Sequence, residues 1–197
     1  MSGAKTECVI LAAGSSSRLG EEKALLPIFG TTLVEWISNR VCKFGIKPVI
    51  VANKRIFERV SESIANSEVI VNNHPERGRT GTLKVGIKKL DETFGEGFRL
   101  LVIPVDRPGF SDSTLERMMR ASETCCPSMD GRGGHPLLLS TKDVRLVRAS
   151  PDNLSLREIV DPEKFEVFDS QLHLNIDTPS DIEYLEENLT MVEDRMS

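Results

Sequence analysis

An apolar run, Cys8-Val-Ile-Leu-Ala-Ala13, is followed at once by small residues, Gly14-Ser-Ser-Ser17, then by the cations Arg18 and Lys23. Backbone amides in a loop of small residues approach phosphate oxygens closely, while the two cations neutralise charge gathering on a departing pyrophosphate. The spacing is neither the GxxxxGK[ST] loop of P-loop NTPases nor the GxGxxG turn of dinucleotide-binding folds. A polyphosphate held in another kind of loop is the chemistry these residues suit. A second marked position is Asp106, which follows the most continuous apolar run of the chain. Taken alone, an acid just past a strand end serves equally well as a helix cap, a loop hydrogen-bond acceptor or a metal ligand. Of the three histidines, only His135 lies in a glycine-rich stretch.

Short apolar runs alternate with longer amphipathic segments, the pattern of βαβ units around a largely parallel sheet. The spacing predicts a strand at 8–13, a helix at 32–44, a strand at 48–52, a helix at 56–64 and a strand at 68–71. After a glycine-rich turn at 77–81, a helix is expected over 82–90, ended by Gly95 and Gly97, and then a buried strand over 98–104 leading into Asp106. Ser111 caps a helix through residue 121. The stretch 129–135 reads as a flexible loop, 137–139 as an apolar run, and roughly 131–168 as an excursion from the main sheet. Thr178-Pro-Ser-Asp181 is a helix start, with its cap, its proline at the first position and an acid three residues on; the helix is expected from 179 to about 189. The expected architecture is therefore α/β, a doubly wound, mostly parallel (mixed) sheet flanked by helices. Open sheets of this kind bind ligands at the carboxyl edges of their strands.

Composition narrows the partners. A 197-residue chain suits a single domain over 1–197, and 39% apolar with 28% charged residues is globular, not disordered, character. A net charge of -5 argues against a face spread over nucleic acid. No apolar run reaches the roughly 18 residues that span a bilayer, so no membrane partner and a cytoplasmic location are expected. Cys8, Cys42, Cys125 and Cys126 lack the spacing of a zinc site. They are expected to be reduced packing residues, with Cys125 and Cys126 pointing to opposite faces of a strand.

The segment 11–27 resembles the signature of the MobA-like NTP transferase family, LAAGxSxRxGxxKxLLP, with every specified position filled. Val105-Asp-Arg-Pro108 is similar to that family's GDxP element, with Val where Gly is usual. Gly133-Gly-His-Pro136 resembles the GHP element of the molybdenum cofactor cytidylyltransferase branch, and Asn175-Ile-Asp-Thr-Pro179 its closing IDTP motif. The likeness covers about residues 8–189 and implies a Rossmann-like nucleotidyltransferase fold. It assigns Leu11, Ala12, Ala13, Gly14, Ser15, Ser16, Arg18 and Lys23 to the nucleotide, and Asp106 and Asp177 to Mg²⁺. His135 and Asn175 are assigned to the acceptor, with Asn175 otherwise orienting Asp177. Arg77, Arg79, Thr80 and Thr82 occupy the segment that reaches toward the nucleotide in relatives; the match there is loose, and Thr80 and Thr82 are taken as nucleotide contacts. Lys84, Lys88 and Lys89 read as a solvated helix face.

Two distant carboxylates brought together at a sheet edge, with NTP phosphates and water, suit octahedral Mg²⁺. An acceptor phosphate monoester, with a second pKa of about 6, is already ionised near neutrality, so no general base is required. Arg18, Lys23 and Asp106 then carry catalysis by positioning and charge. The expected reaction moves CMP from CTP to the phosphate of molybdopterin with release of pyrophosphate. Guanylyl transfer from GTP, transfer to a sugar or polyol phosphate, and a non-catalytic nucleotide-binding regulator are the alternatives. A dehydrogenase is disfavoured because Val51-Ala-Asn-Lys54 offers no acid for a ribose.

Overall fold

The computed structural model describes residues 4–14 and 22–196, with side chains through 188. Along the chain come β1 (Thr6–Ala12), β2 (Pro27–Ile28), β3 (Thr31–Thr32), α1 (Leu33–Cys42), β4 (Val49–Asn53), α2 (Phe57–Ser63), β5 (Glu68–Asn72) and α3 (Gly78–Phe94). They are followed by β6 (Arg99–Pro104), α4 (Asp112–Arg120), β7 (Cys125–Met129), β8 (Arg132–Gly133), β9 (Leu137–Leu139), α5 (Thr141–Ala149), α6 (Leu156–Ile159), β10 (Glu163–Glu166) and α7 (Pro179–Met196).

The main sheet runs β10-β7-β9-β6-β1-β4-β5, with β8 paired to β7, and β2 and β3 form a separate ribbon. β1 lies parallel to both β4 and β6, β4 to β5, and β7 to β10. β9 runs antiparallel to β6 and β7. The sheet is thus mixed and mostly parallel, and helices cover both of its faces. β1 shows how the sequence specifies this: Cys8, Ile10 and Ala12 face a core shared with Leu33, Val34 and Ile37 of α1 and Ile182 and Leu185 of α7. Val9 faces the other way, into a core with Leu83, Ile87 and Leu90 of α3 and Val144 and Val147 of α5. Because both faces are covered, residues 8–12 of this strand are apolar at every position, not at alternate ones. Cys125 and Cys126 divide in the same manner, one to each core. All four cysteines are free thiols. Burial pushes the Cys8 thiol well above its ordinary value and that of Cys125 to about 11, which suits packing and not thiolate chemistry.

Capping follows the sequence closely. The Thr32 hydroxyl accepts from Glu35 N, and Ser111 from Thr114 N. The Asp181 carboxylate accepts from the amides of Asp177 and Thr178 at 2.8 and 2.7 Å, fixing the entry to α7. Gly86 lets α3 lie against the sheet, since a Cβ there would stand 2.7 Å from a methyl of Val9.

Five expectations need correction. The glycine-rich segment 77–81 is not a turn before a helix: α3 already begins at Gly78, and the turn before it is the 3-10 segment Pro75–Arg77. The stretch 129–135 is a hairpin, not an irregular loop, because Asp130 and Gly131 both take positive φ (52° and 74°), the geometry of a tight two-residue turn joining β7 and β8. Residues 131–168 do not leave the sheet: Leu137, Leu138 and Leu139 are buried in β9, which inserts between β6 and β7. Lys84 is not merely solvated, for its Nζ donates to Ser150 O and Asp152 Oδ1, both at 2.7 Å. The last helix also extends beyond the expected residue 189, to Met196.

Candidate functional site

The carboxyl ends of β4, β1 and β6 meet side by side, because Ala12 pairs with Ala52 and Leu11 with Pro104. Val105 N donates to Leu11 O at 3.1 Å, carrying the ladder one step beyond β6 and delivering Asp106 beside the turn that follows β1. Leu11 and Ala12 lie within the ladder, so the turn itself starts at Ala13 and Gly14. A Cβ built on Gly14 meets nothing within 4 Å among the described residues. Asn53, at the end of β4, reaches Gly14 O with its amide at 3.5 Å, and its Oδ1 accepts from the amides of Arg55 and Ile56. Ser15, Ser16 and Arg18 lie outside the described residues.

Lys23 opens a short 3-10 turn anchored by buried Ala24 and Leu26. Its Nζ lies 2.6 Å from Asp177 Oδ1, and Asn175 Nδ2 donates to Asp177 Oδ2. The hydrogen bond from Lys23, supported by its charge, by Asn175 and by the charge of Arg107, outweighs partial burial and holds the Asp177 carboxyl below the ordinary aspartate value. Fully buried Ile176 sits between Asn175 and Asp177 and donates its N–H to Asp106 O at 3.0 Å. That single backbone bond joins two acids separated by seventy residues of chain. Nearby, Gly109 supports the same junction, for a Cβ there would lie 1.8 Å from Gln171 O.

Arg79 NH2 stands 3.5 Å from Asp106 Oδ2, so each acid of the pair has a cation beside it. Asp106 and Asp177 supply hard oxygen donors, which fit Mg²⁺ if phosphate and water oxygens complete the shell. Among the described residues no cluster of three or more His, Cys, Asp or Glu side chains offers an all-protein cage.

His135 joins this group from the β9 side, through a cis peptide to Pro136. Burial, reinforced by the charges of Arg107 and Arg79 and opposed by Asp106, lowers its pKa to about 4. Its buried Nδ1 has no hydrogen-bond partner among the described residues. The imidazole is therefore neutral at physiological pH. Folding here favours the deprotonated ring, so the stability it confers is complete above the unfolded value near 6.5 and is lost as the pH falls toward 4. Between pH 7.5 and 5 the protein should lose ~2 kcal/mol more than a His135→Gln variant does. Urea unfolding at the two pH values measures this, and equal losses would remove the effect.

Thr80 and Thr82, the two threonines expected to contact the nucleotide, lie near the start of α3. Both are buried: Thr80 Oγ1 donates to Leu154 O at 2.6 Å, and Thr82 Oγ1 donates to Gly78 O while accepting from Asn72 Nδ2. Neither retains a hydroxyl proton for a ligand. Sequence reasoning overlooked Arg107, whose NH1 donates to His173 O at 3.1 Å, and Asn53. Arg107 adjoins Asp106 in sequence, the one signal that pointed to it.

The profile of the MobA-like NTP transferase domain matches residues 8–167. The chain is 24% identical over 196 residues to the molybdenum cofactor cytidylyltransferase of Escherichia coli, covering 94% of this chain and 98% of that protein. It is 30% identical over 122 residues to the molybdenum cofactor guanylyltransferase of Xanthomonas euvesicatoria, a match spanning 62% of this chain and only 58% of that protein's length. Among solved structures, Rv0371c of Mycobacterium tuberculosis superposes with a TM-score of 0.79 at 23% identity, over 95% of this chain and 100% of that one. A complex of Rv0371c with manganese superposes with a TM-score of 0.72 at 19% identity, over 93% and 98%. No helix among the described residues is long and apolar enough to cross a membrane.

Proposed function

The chain belongs to the MobA-like NTP transferase family, and from that premise we propose that it acts as one transferase domain moving CMP from CTP to the phosphate of molybdopterin, with release of pyrophosphate. The observation that carries this reading is the junction of Lys23, Asp177 and Asp106 beside the turn after β1. In it Gly14 and the residues after it receive the triphosphate, Lys23 and Arg18 take the charge of the leaving pyrophosphate, and Asp106 and Asp177 hold a divalent ion. When bound, that ion neutralises phosphate charge and fixes the reacting groups in line. Asn175 orients Asp177, which the hydrogen bond between them supports.

No side chain need move a proton in this reaction. The acceptor monoester is largely ionised at neutral pH, and His135, held neutral by burial, is suited to hydrogen-bonding the acceptor and not to abstracting its proton. The protein's task is to hold two anions together against their repulsion, which two carboxylate-bound metal charges and nearby Lys and Arg side chains can do.

Guanylyl transfer from GTP is the second reading, favoured by the guanylyltransferase relative at 30% identity. Pyrophosphate release with CTP and with GTP, each with molybdenum cofactor and Mg²⁺, separates the two. The expected result is turnover with CTP exceeding that with GTP; turnover with GTP alone would transfer the assignment to guanylyl transfer, and none with either would remove both.

A further inference from the structure

The side chains at the start of α3 are unequally committed. Thr80 and Thr82 have given their hydroxyl protons to carbonyl oxygens, and Arg77 NH1 lies 3.4 Å from Asp152 Oδ2. Elsewhere near the site, Arg107 donates to His173 O, and Arg40 is locked by Phe110 O and Asp112 between the rings of Trp36 and Phe110. Arg79 alone of these turns its guanidinium to Asp106, in a contact of 3.5 Å at the outer limit of hydrogen-bond length, with 68% of its side chain exposed against 17% for Asp106. A solvent-screened pair of that length exchanges readily.

We propose that Arg79 is a phosphate-binding residue of this site, resting on Asp106 until a phosphate oxygen takes its place. The proposal rests on the transfer reading above. A guanidinium fork matches two phosphate oxygens, whereas here it meets one carboxylate oxygen at long range, so a phosphate group is the better partner. A divalent ion taken up by Asp106 competes for the same carboxylate and repels the guanidinium. Phosphate and metal therefore assist each other: whichever arrives first releases what the other needs, and the coupling is reciprocal. This role falls to Arg79 and not to Thr80 or Thr82, whose hydroxyls are used internally.

The test uses the full chain with Arg79→Gln and Arg79→Lys, and three probes: Mn²⁺ alone, CTP without metal, and inorganic phosphate. Free Mn²⁺ is read by electron paramagnetic resonance and the anions by titration calorimetry. Arg79→Gln should bind CTP or phosphate about ten-fold more weakly, as expected for one lost charge-assisted contact, yet bind Mn²⁺ alone more tightly than the wild type. Arg79→Lys should recover part of the anion affinity. A loss confined to CTP assigns Arg79 to the donor triphosphate, a loss confined to inorganic phosphate to the acceptor, and a loss of both to their junction. Unchanged affinity for both anions, or Mn²⁺ binding that weakens in Arg79→Gln, would overturn the proposal. Wild-type protein that neither binds CTP nor releases pyrophosphate would instead overturn the transfer reading itself.

Discussion

Asp106→Ala should abolish nucleotidyl transfer, with turnover reduced on the order of 10³-fold or more, while the chain remains folded. The two halves of this expectation come from different atoms of the same residue. The main-chain oxygen of Asp106 accepts from Ile176 N and so ties the end of β6 to the segment before α7, and alanine preserves that bond. The carboxylate reaches Arg79 across 3.5 Å in a partly hydrated setting, so its removal should change stability by no more than about 1 kcal/mol. What alanine removes is one of the two carboxylates proposed to hold the divalent ion, leaving Asp177, which also pairs with Lys23, as its single protein carboxylate. Steady-state pyrophosphate release alongside a thermal melt separates the halves. Unchanged turnover would take Asp106 out of the mechanism, and loss of the folded transition would assign it a structural part instead.

The second large effect is expected at Lys23. Lys23→Met retains the apolar length of the side chain and its anchoring turn, but removes the ammonium 2.6 Å from Asp177 Oδ1. If that charge stabilises the departing pyrophosphate, the loss falls mainly on kcat, by roughly 10²- to 10³-fold, because the charge it meets develops in the transition state. Lys23→Arg should recover little, for a planar fork does not reproduce a compact ammonium placed by a short 3-10 turn. Steady-state kinetics decide between this and simple nucleotide binding, in which KM would rise and kcat remain.

The fold was legible where local rules and burial agree. Cys8 to Ala12 reads as a strand because both of its faces are covered, and Ser111 and Thr178 mark helix starts through side-chain caps that the structure contains or completes with Asp181. It was illegible where pairing partners are distant. Nothing local in Leu137-Leu-Leu139 says that it slots antiparallel between β6 and β7, and the glycines at 78 and 81 conceal a helix whose first turn is set by the packing around Arg77. The candidate site divides the same way. Lys23, Asp106 and Asp177 stand at the ends of recognisable elements, so their meeting at one sheet edge follows from topology. Arg79, Arg107 and Asn53 enter through side-chain reach across strands, and the commitment of the Thr80 and Thr82 hydroxyls depends on Leu154 O and Gly78 O, one of them far away in sequence.

Transfer requires the triphosphate to occupy the turn after β1, where Asp106 and Asp177 would hold a divalent ion that offsets its charge. Crystals of the chain grown with CTP and Mn²⁺, with the ion located by its anomalous scattering, address this directly. The predicted result is phosphate density against Gly14 within reach of Lys23 and an anomalous peak bonded to both Asp106 and Asp177. A nucleotide bound elsewhere, or a peak away from both carboxylates, would contradict it.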